Sequence, residues 1–422
     1  MRVAVIGAGW AGCAAAVEAT RRGHAVTLFE ASRTAGGRAR RVDATVAMQP
    51  VALDNGQHIL IGAYAQTLRL MNDLGIDLAA SLQRLPLTLR FPDGSGLELP
   101  RLPAPLDAFA GIATARGWSW ADKLSLIKAA LGWKFNRFAC GPEQSVTDLC
   151  EGLTPRAMAQ LIEPLCVSAL NTPAERASGQ VFLRVMRDAL FSTHGGSNLL
   201  LPRVDLGALL PNAALAWLAA HGSVPRLGSR VQALARAGSG WQVTADTCDA
   251  YDSVVLACPP LEAARLVDAS GVPADTWLAQ ARGLNHEALT TVYAYASDAR
   301  LSLPMLALPP TAAAPAQFVF DRGQLGGPAG LLAFVVSASS GDSATLTQQV
   351  LVQAADQLAL HLQPVQTIVE KRATFSCTPG LQRPAAVVAP GLLACGDYIA
   401  GPYPATLEGA VRSGLAVAKS LL

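Results

Sequence analysis

Charge is scarce in this chain. Only 15% of its 422 residues are Asp, Glu, Lys or Arg, and the formal net charge is +2. That balance offers no field for a nucleic-acid partner. Long apolar runs are missing too: no stretch of 18 apolar residues occurs, so no helix is expected to span a bilayer. The longest candidate, residues 208–220, is broken by Pro211 and Asn212. Eight cysteines (Cys13, Cys140, Cys150, Cys166, Cys248, Cys258, Cys377 and Cys395) form no CxxC pair and have no neighbouring histidine. This argues against both a zinc site and a disulfide framework, and it fits free thiols in the cytoplasm. Internal repeats and low-complexity blocks are absent. What the chain does have is apolar bulk, 51% of residues, and enough length for two domains around a large core.

The strongest signal lies near the N-terminus. Residues 3–6 are an apolar run, and Gly7-Ala8-Gly9-Trp10-Ala11-Gly12 follows at once. A small-residue helix is expected from about Cys13 to Arg22, then a second strand over residues 25–29 that ends in Glu30. Strand, glycine turn, helix, strand and acid make up a βαβ dinucleotide-binding unit. Gly7 permits the tight turn, Gly9 lets the backbone approach a pyrophosphate, and Gly12 lets the helix pack on the sheet. The helix N-terminus offers free N–H groups and a positive dipole, and Glu30 can accept from a ribose. Gly36-Gly37-Arg38 and then Asp54-Asn55-Gly56-Gln57-His58 follow. A second basic glycine loop is seldom found in NAD domains. It resembles the FAD domains of the amine oxidase and phytoene desaturase superfamily.

The expected fold is α/β: a discontinuous Rossmann-type FAD-binding domain with an inserted α+β substrate domain. The FAD domain is assigned to residues 1–63, 199–260 and 391–422, the substrate domain to 64–198 and 261–390. Within the middle FAD piece the pattern predicts a helix over 206–221. Strands are predicted over Val224–Leu227, 231–235 and 241–244, with Gly238-Ser239-Gly240 as a hairpin turn. A further strand over 253–258 is stopped by Pro259-Pro260. The first insert reads as mostly helical. The second mixes strands (290–296, 317–320, 331–336) with a helix over 343–362. At the C-terminus, residues 392–395 read as a strand ended by Gly396-Asp397, and Pro404 is expected to open the last helix.

Gly396-Asp397 places a carboxylate where it can meet ribityl or pyrophosphate oxygens. N–H groups of the helix after it can stabilise negative charge on a reduced flavin. The segment from Asp397 to Gly414 resembles the closing motif of the phytoene desaturase branch. Residues 53–64, with Asp54-Asn55-Gly56-Gln57-His58, resemble the hydroxysqualene dehydroxylase family within it, and Arg383-Pro384 fits the same branch. The resemblance spans nearly the whole chain. It implies non-covalent FAD, with further cofactor contacts at Ala8, Gly37, Gly56, Gln57, Val231, Thr406 and Leu407. It also implies an apolar isoprenoid substrate, hydroxysqualene, whose allylic hydroxyl is removed by hydride from reduced flavin. Such chemistry needs a general acid. Asp54 and His58 are candidates: Asp54 reads either as an acid kept protonated by burial or as a turn former, and His58 either as an acid or as a core histidine. Tyr398 and Tyr403 are candidates for stabilising a cation, or simply pack.

Rival readings keep the fold: a carotenoid-type desaturase, an amine oxidase, or a flavin-free prenyl-protein chaperone. The intact phosphate-loop glycines, Glu30 and Gly396-Asp397 argue against the last. No second GxGxxG unit is visible, so the electron donor has no signature in the sequence. Residues 118–138 are a candidate membrane-contact helix. Trp120, Leu124, Ile127, Leu131, Phe135 and Phe138 fall on one stripe, with Lys123, Lys134 and Arg137 off it, whereas Leu126 and Trp133 lie opposite. A core helix of the substrate domain is the alternative. The expected location is therefore cytoplasmic, or peripheral on the inner face of a membrane.

Overall fold

The computed structural model describes residues 1–192 and 195–421. The elements that position the site run, in chain order, β1 (Arg2–Ile6), α1 (Trp10–Arg21), β2 (Ala25–Glu30), α2 (Leu106–Thr114), α3 (Trp120–Phe135), β3 (Val224–Leu227), β4 (Ser253–Leu256), β5 (His286–Tyr295), β6 (Met305–Ala307), β7 (Phe318–Asp321), β8 (Leu331–Ser337), β9 (Gln363–Phe375), β10 (Val387–Ala389), β11 (Leu392–Ala394) and α4 (Leu407–Ser420).

The first sheet has the order β3-β2-β1-β4-β11-β10 and is parallel except for β10. Its strands therefore come from three separated stretches of chain. Alternation sorts the side chains of β1: Val3 and Val5 face the cluster that holds α1 and α4, and Ala4 and Ile6 face the other. That other face is covered by a three-stranded antiparallel layer (Ala233–Ala237, Gly240–Thr244, Cys248–Tyr251), with Trp241 fully buried. Helix α1 is rich in alanine, which lets it lie close to both the sheet and α4. A Cβ on Gly414 of α4 would stand 2.2 Å from the Ala11 carbonyl oxygen.

The second sheet, β6-β7-β8-β5-β9, is antiparallel. One face (Val292, Val319, Phe334, Val336) packs on the helix Ser343–Leu358. The other (Tyr293, Phe318, Phe320, Val335) joins the main core, and its last three residues line a large cavity. Among the described residues, no helix is long and apolar enough to cross a membrane, and no two cysteines are bonded.

Several elements differ from the sequence expectation. Helix α1 begins at Trp10, not Cys13, with Gly9 as its N-cap. The predicted helix over 206–221 is two, Leu206–Leu209 and Pro211–Ala220, because Pro211 starts a new one. Residue 231 precedes its strand, which starts at Ala233. Pro260 does more than stop a strand: it is the first residue of the helix Pro260–Ala269. Pro404 does not open α4. Ala405 takes φ +56°, outside helical space, and Thr406 caps the helix by accepting from the Gly409 N–H at 2.9 Å. The long strand β9 was not anticipated.

Candidate active site

The glycine turn is built as its spacing requires. Gly7 has φ +109°, and a Cβ there would lie 2.7 Å from the Ala257 carbonyl oxygen. Its N–H donates to the Phe29 carbonyl at 2.7 Å, which locks the turn to the end of β2. A Cβ on Gly12 would stand 1.8 Å from the Gly7 carbonyl oxygen. Gly12 is thus needed for packing. Glu30 sits at the end of β2 and accepts from the Ala8 and Ser32 N–H groups, both at 2.8 Å. The Gly36 N–H donates to the Ala8 carbonyl at 2.8 Å and brings the second glycine loop alongside the first. Gly9 and Gly37 face each other, and a Cβ on Gly37 would meet the Gly9 Cα at 3.3 Å.

These loops form one end of a cavity of about 920 Å³. Gly7, Gly9, Glu30, Gly37, Arg38, Gln57, His58, Val231, Gly396, Asp397, Tyr398, Tyr403, Thr406 and Leu407 are all on its wall. Ala8, Gly12, Gly56 and Asp54 are not. Leu165, Met186, Leu190, Leu199, Leu289, Phe318, Phe320 and Val335 give the wall a large apolar part, with Ser168, Asn171 and Ser337 on it as well. None of the five lysines lines it among the described residues.

Arg38 lines the cavity, and its Nη2 donates to Asp397 Oδ1 at 2.5 Å and its Nη1 to the Ala373 carbonyl at 2.7 Å. The pair fastens the second glycine loop to the loop after β11. Burial disfavours the guanidinium charge, but Asp397 and Glu370 outweigh it and raise the Arg38 pKa.

Asp54 lies behind the wall. It ends the strand Gln49–Asp54, is almost fully buried, and accepts from the Leu206 N–H at 2.8 Å through Oδ1, while Oδ2 has no partner. Burial raises its pKa from 3.8 to about 6 against the pull of nearby Arg322. Asp54 thus stands outside the lining of the cavity, with one carboxyl oxygen held by the Leu206 N–H and the other unpartnered. Arg322, also buried, donates to Gln57 Oε1 at 3.3 Å. His58 is on the wall, but its Nδ1 lies 2.5 Å from the Gly56 carbonyl oxygen. A carbonyl only accepts, so Nδ1 carries the proton. Burial lowers the His58 pKa, and Arg38 adds to the effect. The neutral ring then presents Nε2 as an acceptor.

Tyr398 and Ser229 both line the cavity, and the hydroxyl of each is buried without a protein partner. Two orphaned hydroxyls beside a glycine cradle fit a polar ligand that supplies their hydrogen bonds. Tyr403 donates its hydroxyl to Asp188 Oδ2 at 2.7 Å, and the Arg412 guanidinium lies 4.8 Å from the centre of its ring. Helix α4 is held in place through Glu408, fully buried, which accepts from the Thr67 N–H at 2.9 Å and hydroxyl at 2.7 Å, and from Arg412 Nε at 2.6 Å. Cys258 is also on the wall, and burial pushes its thiol up to about 12. Sequence reasoning missed Ser229, Asp188 and Arg322. Asp188 sits in a π-helical turn, Arg187–Ser192, which gives no spacing cue.

The chain matches the family described as flavin containing amine oxidoreductase over residues 10–422. It is 29% identical to a hydroxysqualene dehydroxylase of Rhodopseudomonas palustris, over 98% of this chain and 96% of that one. It is 26% identical to a hydroxysqualene dehydroxylase of Sinorhizobium fredii, with the same coverage. Among solved structures, an oxidoreductase from Methanosarcina mazei superposes with a TM-score of 0.73 at 16% identity, covering 100% of both chains. With a glycine cradle, a capped C-terminal helix and a family match over all but its first nine residues, the chain belongs to the flavin-containing amine oxidoreductases.

Proposed function

We propose that this chain is an FAD-dependent hydroxysqualene dehydroxylase that holds its cofactor without a covalent bond. The observation that carries the reading is a single cavity walled both by the dinucleotide cradle and by a large set of apolar side chains. Two full-length relatives bearing that name support the substrate. When bound, reduced FAD supplies a hydride, so that hydroxysqualene and a proton leave as squalene and water. Residues 1–63, 199–260 and 391–422 are assigned to the cofactor, and 64–198 with 261–390 to the substrate.

The protein's own contributions follow from its residues. Gly7, Gly9 and Gly37 would hold a pyrophosphate at the N-terminus of α1. Glu30 keeps lone pairs for a ribose beyond the two N–H groups it already receives. Ser229 and Tyr398 have hydroxyls to spare. The N-terminus of α4 places positive dipole beside the wall at Thr406 and Leu407. The apolar part of the wall offers few groups to hold water that would otherwise capture an allylic cation. His58 Nε2 can accept from the substrate hydroxyl and orient it. Cys258 is held as a thiol, not a thiolate, which disfavours its attack on a cofactor.

The test is anaerobic mixing of the dithionite-reduced protein with hydroxysqualene. Squalene should form in step with the return of oxidised-flavin absorbance. Absence of squalene, together with desaturation of phytoene when an acceptor is supplied, would turn the reading to a desaturase.

A further inference from the structure

Helices α2 and α3 expose apolar surface on the side away from the core. On α3 the inner residues Leu126, Ala130 and Trp133 are buried. The outer face carries Trp120, Leu124, Leu131 and Phe135, with Trp120 74% and Phe135 84% exposed. Leu106, the first residue of α2, and Leu102, four residues before it, are exposed as well. Among the described residues, six of the thirteen exposed large hydrophobic side chains thus fall between Leu102 and Phe135. Single exposed apolar residues are ordinary, but a concentration on one helix pair marks a contact surface. The stripe differs in detail from the sequence expectation. Ile127 is half-buried, and Phe138 lies beyond α3 with its ring 4.9 Å from that of Phe191.

Charge selects the occupant. Between Arg101 and Phe138 the only carboxylates are Asp107 and Asp122, and both are buried. Arg101, Arg116, Lys128, Lys134 and Arg137 are exposed, and none is in an ion pair among the described residues. Lys123 lies 5.3 Å from the centre of the Trp120 ring. An apolar face rimmed by cations suits anionic headgroups over acyl chains. A two-fold contact with a second copy would set this cationic rim against itself.

Beneath the pair lies a second cavity of about 40 Å³, lined by apolar residues alone, including Phe109 and Ile112 of α2 and Leu126 and Trp133 of α3. Four of its lining residues, Leu87, Leu165, Met186 and Leu190, also line the large cavity. Apolar wall therefore runs from the exposed helices to the site.

We propose that α2 and α3 seat in the surface of a bilayer bearing anionic headgroups, and that an apolar substrate passes from the acyl layer between them, through the small cavity, into the large one. The passage rests on the isoprenoid reading given above, whereas the seating does not.

The test uses the flavin-loaded full chain and vesicles of phosphatidylcholine, with or without phosphatidylglycerol. The protein should float with the anionic vesicles. The W120E/F135E variant should partition about a hundredfold less, from the loss of two buried aromatic side chains. It should keep its flavin and its turnover of detergent-dispersed hydroxysqualene. Ala130→Phe, and separately Ala108→Leu, fill the small cavity. They should leave flotation and flavin content intact and slow turnover of vesicle-borne substrate by tenfold or more. Wild type that stays at the bottom, a W120E/F135E variant that floats normally, or one that merely turns a dimer into a monomer overturns the seating. Full-rate turnover from vesicles by both filled variants overturns the passage. Flotation with no squalene formed even in detergent refutes the dehydroxylase reading and upholds the seating.

Discussion

Two glycines three residues apart should respond to alanine in opposite ways. Gly9 has φ −72° and ψ 180°, extended backbone that any residue adopts, and a Cβ there meets only the Gly37 Cα, at 3.9 Å. As an N-cap, alanine is worse than glycine by about 1 kcal/mol. Its stiffer unfolded chain returns about 0.4–1 kcal/mol. The G9A protein should therefore melt within about 1 kcal/mol of the parent. Gly12 is different. Its new methyl would stand 1.8 Å from a backbone oxygen and 3.0 Å from the Ala257 Cβ. Clearing that oxygen means moving α1 by roughly 1.5 Å, the shortfall from ordinary carbon–oxygen contact. Because α1 is buried along most of its length, the cost is about 3 kcal/mol or more. For a chain of 422 residues the conversion is about 1 °C per kcal/mol, so Tm falls by about 3 °C or more. Flavin affinity separates the pair again. Gly9 is on the cavity wall, so its methyl occupies the approach of the pyrophosphate, and Kd should rise by about tenfold to a hundredfold, equivalent to 1.4–2.8 kcal/mol. Calorimetry of the flavin-stripped protein and a flavin titration measure the two effects independently. If G9A binds flavin like the parent, or G12A melts within about 2 °C of it, the assignment of packing to Gly12 and ligand approach to Gly9 is wrong.

Asp54 should give a pH signature. Its native pKa is raised from 3.8 to about 6, so its contribution to stability is full below pH 3.8 and is lost as pH rises through 6. About 1.4 kcal/mol of that loss falls between pH 5 and pH 7.5, and the stability of Asp54→Asn relative to wild type should rise by that amount in urea melts; a constant difference refutes the buried carboxyl. Arg38→Ala and Asp397→Ala should each weaken flavin retention, and the double variant should fall short of their sum by on the order of 1 kcal/mol, since the ion pair is one connection; strict additivity would show that the two act separately. Because the His58 pKa is lowered, its acceptor at Nε2 persists below pH 6.5. Turnover should fall only as pH drops further, and this limb should vanish in His58→Gln, with flavin content unchanged.

Local signals survived translation into structure where the physics is local. The turn at residues 7–12 needs glycine for reasons confined to a dozen atoms, and the strand Val224–Leu227 forms as the pattern predicts. β9 escaped detection because almost all of its residues are half-exposed or exposed, so apolar and polar positions do not alternate. The start of α4 was misplaced by proline chemistry. Pro404 looked like a first helical residue, but a threonine two positions on supplies the side-chain acceptor that the free N–H groups need.

Side-chain direction at the site was the harder problem. Asp54 pairs with Arg41 in the hairpin of Arg41–Val46 and Gln49–Asp54, and that pairing decides which face its carboxyl takes. Gln57 and His58, just past the strand, reach the wall instead. No spacing between Asp54 and His58 encodes the difference, because what Asp54 meets is the Leu206 N–H, 152 residues away. The same holds for Arg38, whose partner lies 359 residues on. A motif can state which residue types converge on a cofactor. Which of them faces it, and which braces another that does, is fixed by strand register and by contacts between distant segments, as the Leu206 N–H does for Asp54 and the Asp397 carboxylate for Arg38.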